Sequence, residues 1–351
     1  MSAFEVRLVD AGLIASDWED LAGRVNASPF VRPGWIYAWH GAFGRGRLVA
    51  LTVCSAGRLV AMLPLEVRRG VIRSPTNWHT PHYEPLAEDE ESYSALLEAA
   101  LAGNRRRLQL AFVSPRSADA VARRAESRDQ RFLSRVLEES PYIDIDGSFA
   151  EYEGRLGRHL RSELARRRRR LSEQGPVSLD VTATADTVAL EQFFRVEAAG
   201  WKGQRGTAIA KEPGTQRFYT EVARWGAERG WLRLAILRVG DRPVAGDLCL
   251  QCGSVHFLLK TGFDPAYRRF APGKLLRHAM VERAFAEQLR SYEFLGTEET
   301  WKLEWTTATR PRLVVQAFGR TVPGCIDHLA FAYARPVAKG VQRRARVWLG
   351  G

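Results

Sequence analysis

The stretch TGFDPAYRRFAPGKLL, residues Thr261–Leu276, reads as the last residues of a strand that ends near Lys260, a turn-rich loop carrying Arg268 and Arg269, and the start of a helix at Ala271-Pro272-Gly273-Lys274. Proline suits a first helical turn, and glycine lets a ligand come close to backbone. The free N–H groups and positive dipole end of such a helix favour phosphate, and Arg268, Arg269 and Lys274 add charge. A strand, loop and helix in this order are a candidate pyrophosphate cradle. On spacing alone an ordinary connection with solvated arginines explains the stretch equally well, so the rest of the chain has to decide.

Sliding the chain against itself by 184 residues lays 45–112 over 229–296 without a gap, with 15 identities in 68 positions. Leu48–Ile72 and Leu232–His256 both read as strand, tight turn, strand, with Gly57-Arg58 over Asp241-Arg242. Pro81 matches Pro265, Tyr83 matches Tyr267, Ala87 matches Ala271, and the helical stretch 91–102 overlays 275–286. The shared order of elements points to a duplicated α/β fold. Opposite Pro272-Gly273-Lys274 the N-terminal copy carries Glu88-Asp89-Glu90. Those carboxylates suit a helix dipole but repel a pyrophosphate, so only the C-terminal copy is expected to hold an anionic ligand.

The C-terminal copy is expected to contain helices at 188–199 and 218–228, strands at 231–239, 243–251 and 254–261, a helix at 273–289 and strands at 291–295 and 313–318. A single connector helix is expected before it. Ser148 and Glu151 form its capping box and Gly175-Pro176 ends it. Leu156, Leu160, Leu164 and Leu171 make one apolar stripe, and eight arginines between Arg155 and Arg170 make the rest basic. This basic surface suits either plain solvation or an anion. The tail from Arg335 to Leu349 is a weaker basic amphipathic element, open to weak contact with anionic membrane.

The chain of 351 residues has room for about two domains. It lacks an apolar run of membrane-spanning length and a basic-then-apolar leader pattern, which gives a cytoplasmic expectation. Its net charge of +12 asks for an anionic partner without naming one. Cys249 and Cys252 form a CxxC on an expected strand, with no second pair to complete a zinc site, so no metal is expected.

Four segments together resemble a known family pattern: Glu197 followed by Trp201-Lys202-Gly203, the loop 260–275, Tyr292-Glu293-Phe294-Leu295-Gly296, and Trp301-Lys302 with Trp305-Thr306. They are similar to the CelD-like (BcsL-type) branch of the GNAT acyltransferase superfamily, itself related in architecture to Fem-type aminoacyl transferases. The resemblance covers roughly 25–325. It implies an α/β fold of tandem GNAT-like domains, each a mixed central sheet flanked by helices. The expected layout is a non-catalytic N-terminal domain at 1–147, the connector at 148–175, an acyl-CoA-binding domain at 176–330 and the basic tail at 331–351. It also implies transfer of an acyl group, acetyl foremost, from acyl-CoA to an amine, the acceptor being an amino sugar or a cell-envelope or polysaccharide precursor. Cofactor contacts would come from Lys260, Thr261 and Arg268 to Leu275 (Phe270, Ala271, Pro272, Gly273 and Lys274 among them). The loop departs from the commonest GNAT signature of two or more glycines, Pro272-Gly273 standing in.

Amine acylation needs a polarised carbonyl and a proton acceptor. Glu298, His256 and Asp247 are the catalytic candidates, with Asp264 and Glu299 also weighed as bases; Asp264 equally suits a turn cap. Trp201, Lys202, Asp264 and Lys302 are the substrate candidates in this half, and His79 and Tyr83 those in the N-terminal half. Two other readings compete: Fem-type transfer from aminoacyl-tRNA, for which the connector looks short, and a non-enzymatic polyanion binder. Nucleic acid is otherwise disfavoured, because Arg166–Arg170 carries no interleaved aromatic.

Overall fold

The computed structural model describes residues 4–104, 106–199, 209 and 212–334. The described chain divides into two compact units that do not follow the two halves of the sequence. Unit 1 comprises Met1–Ile36, Gly44–Leu137 and Pro311–Gly351, and unit 2 comprises Tyr37–Phe43 and Glu138–Arg310.

Unit 1 holds β1 (Glu5–Asp10), α1 (Ala15–Arg24), β2 (Arg47–Ser55), β3 (Arg58–Arg68), β4 (Val71–Arg73), β5 (Leu86–Ala87), α3 (Glu90–Ala102), β6 (Arg107–Val113) and α4 (Pro115–Ser127), with α2 (Pro33–Phe43) passing into unit 2. Its strands run β1-β2-β3-β4-β6-β13, where β13 is Thr309–Phe318, and β5 adds to β3. All pairs are antiparallel except β4 with β6.

Unit 2 holds the second part of β7 (Arg131–Asp144), then α5 (Phe149–Arg155), α6 (Arg158–Ser172), β8 (Val177–Thr182), α7 (Thr187–Ala199), α8 (Pro213–Glu228), β9 (Leu232–Val239), β10 (Arg242–Cys252), β11 (Val255–Phe263), α9 (Pro272–Ala286), β12 (Ser291–Glu293) and α10 (Thr300–Leu303). Its order, β7-β12-β11-β10-β9-β8, mirrors that of unit 1, again with one parallel pair, β11 with β12.

Adding 184 to β3 gives 242–252, the bounds of β10, and adding it to β4 gives the start of β11. The duplication is therefore structural. The last strand of each unit, however, comes from the other half of the sequence. β7 pairs with β12, and β13 pairs with β6. Each sheet is thus completed by the strand that follows the other copy's repeat, β7 after 45–112 and β13 after 229–296.

The connector is two helices rather than one. Ser148 and Glu151 form the capping box of α5, but Leu156 and Gly157 turn extended before α6 begins. The break serves packing: Tyr152, Leu156, Leu160, Leu164 and Leu171 all enter the core of unit 2 beside Leu276, Met280 and Phe285 of α9. That leaves Arg158, Arg161, Arg166, Arg168, Arg169 and Arg170 exposed.

Candidate active site

Strands β11 and β12 run parallel through three pairs only, Val255 with Ser291, His256 with Tyr292 and Phe257 with Glu293. Beyond Phe257, β11 continues to Phe263 while β12 stops. The β10–β11 register also shifts there, with Leu248 opposite Lys260 but Cys249 opposite Leu258. The bulge adds local twist where β11 loses its neighbour, and among the described residues no strand pairs with that edge of β11 farther on. The two parallel strands stop pairing there, as a V in which Lys260-Thr261 lie on the arm formed by β11.

Gly262 is required on that arm. A Cβ there would sit 2.5 Å from the Cα of Glu197, so only glycine lets α7 pack on β11. Glu197 is itself buried and accepts from the Ile209 N–H at 3.0 Å. Trp201 and Lys202 lie outside the described residues.

After β11, Asp264 caps a 3-10 turn, Pro265–Phe270, by accepting from the Ala266 N–H at 2.9 Å, and it pairs with Arg242 at 2.7 Å. It is a structural cap with its charge already matched, which leaves it little to offer a substrate. Ala271 adopts φ 50 and ψ 51, a left-handed conformation that favours glycine. It turns the chain into α9 with Pro272 in the first turn and no side-chain cap. A Cβ on Gly273 would meet only Phe263, at 3.6 Å, an ordinary contact. The chain's own packing therefore does not demand glycine at 273, whereas close approach of a ligand would.

Arg268 and Arg269 are exposed beside this helix end, and Arg167 of α6 donates to the Arg269 carbonyl. Phe270 and Leu275 turn into the core. Lys274 is matched by Glu163 at 3.0 Å and Glu304 at 2.7 Å. Burial opposes its charge, and the two carboxylates raise its pKa nonetheless. Its charge is thus largely matched before any ligand arrives.

Behind the V lies a buried polar network that the sequence reading did not assemble. Arg277 of α9, 1% exposed, reaches Asp247 of β10 at 2.7 and 2.9 Å, the Thr261 hydroxyl of β11 at 3.3 Å and the Tyr292 hydroxyl of β12. One guanidinium thus ties both arms of the V to the neighbouring strand. Among the described residues the Arg277 Nε and the His256 Nε2 are buried without a hydrogen-bond partner. The signal was present in LLRHAM (275–280), where an arginine and a histidine interrupt an apolar run.

This network corrects two of the catalytic expectations. His256 is buried and stacked on Tyr292 at 4.6 Å. Burial, helped by the charge of Arg277, lowers its pKa to about 3, so it stays uncharged near neutrality and is a poor proton acceptor. Asp247 is fully buried in its pair with Arg277 and cannot meet a substrate. Of the three candidates only Glu298 is exposed, on the loop that leaves β12. That loop turns through left-handed Leu295 and Gly296. Lys302 is buried and donates to the Leu295 and Thr297 carbonyls at 2.7 and 2.8 Å and pairs with Glu299 at 3.2 Å. It shapes the loop rather than facing a substrate. Likewise Tyr83 is fully buried in unit 1, its hydroxyl donating to the Pro64 carbonyl, and offers a ligand no surface. His79 is half-buried on the same loop, its N–H held by the Asn77 side chain at 2.9 Å.

Residues 158–303 match the family model described as an acetyltransferase (GNAT) domain. A search of curated proteins gives no match. Among solved structures, the chain is similar to FemX, with a TM-score of 0.59 at 13% identity over 85% of this chain and 95% of that one. It is also similar to the C-terminal domain of a protein designated lysylphosphatidylglycerol synthetase from Agrobacterium fabrum, with a TM-score of 0.58 at 13% identity over 92% and 96%. A conserved protein of unknown function from Bacteroides thetaiotaomicron gives 0.55 at 12% identity over 90% and 99%. At these identities the likeness concerns the fold, which is α/β with a duplicated, GNAT-type arrangement of mixed sheets flanked by helices.

Proposed function

We propose that this protein is an acyl-CoA-dependent N-acyltransferase of the CelD-like branch, with unit 2 as its working half. The observation that carries the reading is the start of α9: an uncapped helix end entered through left-handed Ala271, with space over Gly273 and two exposed arginines beside it. The helix dipole and the Gly273 N–H there suit a pyrophosphate, while the Ala271 N–H donates to the Arg268 carbonyl and the Lys274 and Leu275 N–H groups to that of Ala271. Acyl-CoA would supply the activated thioester. Residues from Arg268 to Leu275 bind and orient it along β11, with Lys260 and Thr261 on that strand. Arg277 and Asp247 hold the V open as positioning residues. Glu298, on the loop shaped by Lys302, takes the proton from the attacking amine. An acetyl donor and an amino-sugar, cell-envelope or polysaccharide acceptor, in the cytoplasm, are the specific form of the proposal.

The exposed arginines of α6, one turn of which reaches the 3-10 turn through Arg167, favour a second reading, transfer from aminoacyl-tRNA. Titration calorimetry with acetyl-CoA, longer acyl-CoAs and tRNA separates the two. Gly273→Asp places a carboxylate where a pyrophosphate would lie, and should weaken acyl-CoA binding roughly 100-fold or more. Its melting temperature without ligand should hold, because the new Cβ meets only an ordinary contact. Unchanged acyl-CoA affinity in this variant would sink the loop assignment; binding of tRNA alone would transfer the proposal to the second reading.

A further inference from the structure

The last described elements of unit 1 are α11 (Val322–Leu329) and a short π-helical run, Ala330–Ala334. One face of them is anchored. Asp327 pairs with Arg106 and Arg107 at 3.0 and 3.1 Å, Phe331 lies under the Arg107 guanidinium at 4.2 Å, and Phe318 packs edge-on to His328 at 5.2 Å. The opposite face is apolar and bare. Val322 is 73% exposed, Ile326 60%, Leu329 52% and Tyr333 66%. Their spacing of four, three and four residues puts them in one row along a helix. Isolated exposed apolar residues need no explanation, but a continuous row does.

We propose that this row is a docking surface for an anionic lipid bilayer. Charge selects that occupant. The following residues, 335–351, contain Arg335, Lys339, Arg343, Arg344 and Arg346, with Trp348 and Leu349, and no Asp or Glu. From Arg320 to Ala334 the one acid is Asp327, turned inward and neutralised by two arginines. At the start of the row Arg320 pairs with the exposed Asp129 at 3.5 Å. An apolar row followed in the sequence by a basic, acid-free segment suits the boundary of a negatively charged leaflet, where apolar side chains enter the acyl region and cations meet headgroups. A second copy of the chain fits less well, since a symmetric interface here would bring two basic segments together on molecules that each carry +12. Among the described residues no helix is long and apolar enough to cross a membrane, so the contact is peripheral.

Co-sedimentation with vesicles tests this directly. The full chain should bind vesicles of phosphatidylcholine with about 30% phosphatidylglycerol, fail to bind phosphatidylcholine alone, and be released by salt. Ile326→Asp with Leu329→Asp should abolish binding without lowering the melting temperature, because both side chains face solvent. Arg343→Ala, Arg344→Ala and Arg346→Ala together should weaken partitioning roughly 100-fold. Absence of binding to the anionic vesicles overturns the proposal. So does full binding by the Ile326/Leu329 variant. A dimer in light scattering that this variant converts to monomer, with no vesicle binding, would assign the row to a second copy instead. The assay contains no acyl-CoA, so its outcome is independent of the catalytic proposal.

Discussion

The repeat offers two copies of one helix entrance, and they are finished in opposite ways. In unit 1, Asp89 caps α3 with a reciprocal pair of bonds to Ser92, and Glu88 is held by Arg24 and Arg58. The chain after β4 stays on β6: the Ser74 N–H donates to the Gln109 carbonyl, the Ser74 hydroxyl accepts from the Ala111 N–H, and the Tyr83 N–H donates to the Phe112 carbonyl. The gap where the parallel strands would part is filled by the protein's own loop. In unit 2 the same helix end has no side-chain cap, and among the described residues no strand pairs with that edge of β11 beyond its three pairs with β12. Shifting by 184 also places Leu63, Ile72, Tyr93 and Leu108 opposite Asp247, His256, Arg277 and Tyr292. Buried charge and an open helix end occur in the same copy, which is the expected association of strain with work rather than with stability.

The largest expected effect comes from breaking that buried network. Arg277→Met leaves Asp247 charged and unpaired, which should cost about 3–5 kcal/mol in urea unfolding. Asp247→Leu together with Arg277→Met imitates the apolar character of unit 1 and should recover most of the loss, because buried ion pairs are often replaceable by apolar groups. If the network exists to hold the V, the double variant will be folded and defective in acyl transfer. A fully active double variant would reduce Asp247 and Arg277 to packing.

The second effect is a dependence on acid. The folded-state pKa of His256 is lowered from 6.5 to about 3 by burial and by Arg277. The unfolded chain therefore binds a proton that the native state refuses between those two values. Stability is unaffected above about pH 6.5 and falls on acidification below it, by about 1.4 kcal/mol per pH unit at the full slope. His256→Ile, the residue of the other copy, removes this contribution. Unfolding curves of the two proteins at pH 8 and pH 5 should converge at the lower pH if His256 stabilises at neutrality, and an unaltered pH slope in the variant would refute the assignment.

How much of this was legible in the sequence follows from range. The hairpins, the α3 and α9 equivalence and the strand-to-helix loop are local, so turn residues and a fixed offset were enough to find them. The break at Leu156-Gly157 was hidden because the leucine stripe continues through it at near-helical spacing. The exchange of β7 and β13 was not readable, since strand pairing depends on partners far along the chain. Arg277 was not singled out, although it is a charge among apolar residues, because its meaning needs Asp247, thirty residues earlier and bonded to it only in the fold. Glu298 was readable as a position after a strand; the burial that removes His256 and Asp247 from the chemistry was not.

The smallest effect tests whether the closed copy is closed by its cap. Asp89 accepts from the Ser92 backbone and side chain, and these bonds lower its pKa. A depressed carboxylate contributes stability that is present above its unfolded value and is lost as pH falls through the folded one. Asp89→Ala should cost roughly 1 kcal/mol at neutral pH. Asp89→Asn should keep most of the cap while removing its acid dependence, since an amide oxygen still accepts from the Ser92 N–H. Neither variant should confer acyl-CoA binding on unit 1, because the loop from Ser74 to Tyr83 still occupies the edge of β6. Calorimetry on Asp89→Ala combined with Gly273→Asp reads this directly: tighter acyl-CoA binding than in Gly273→Asp alone would mean that the cap, and not the filled edge, separates the two copies.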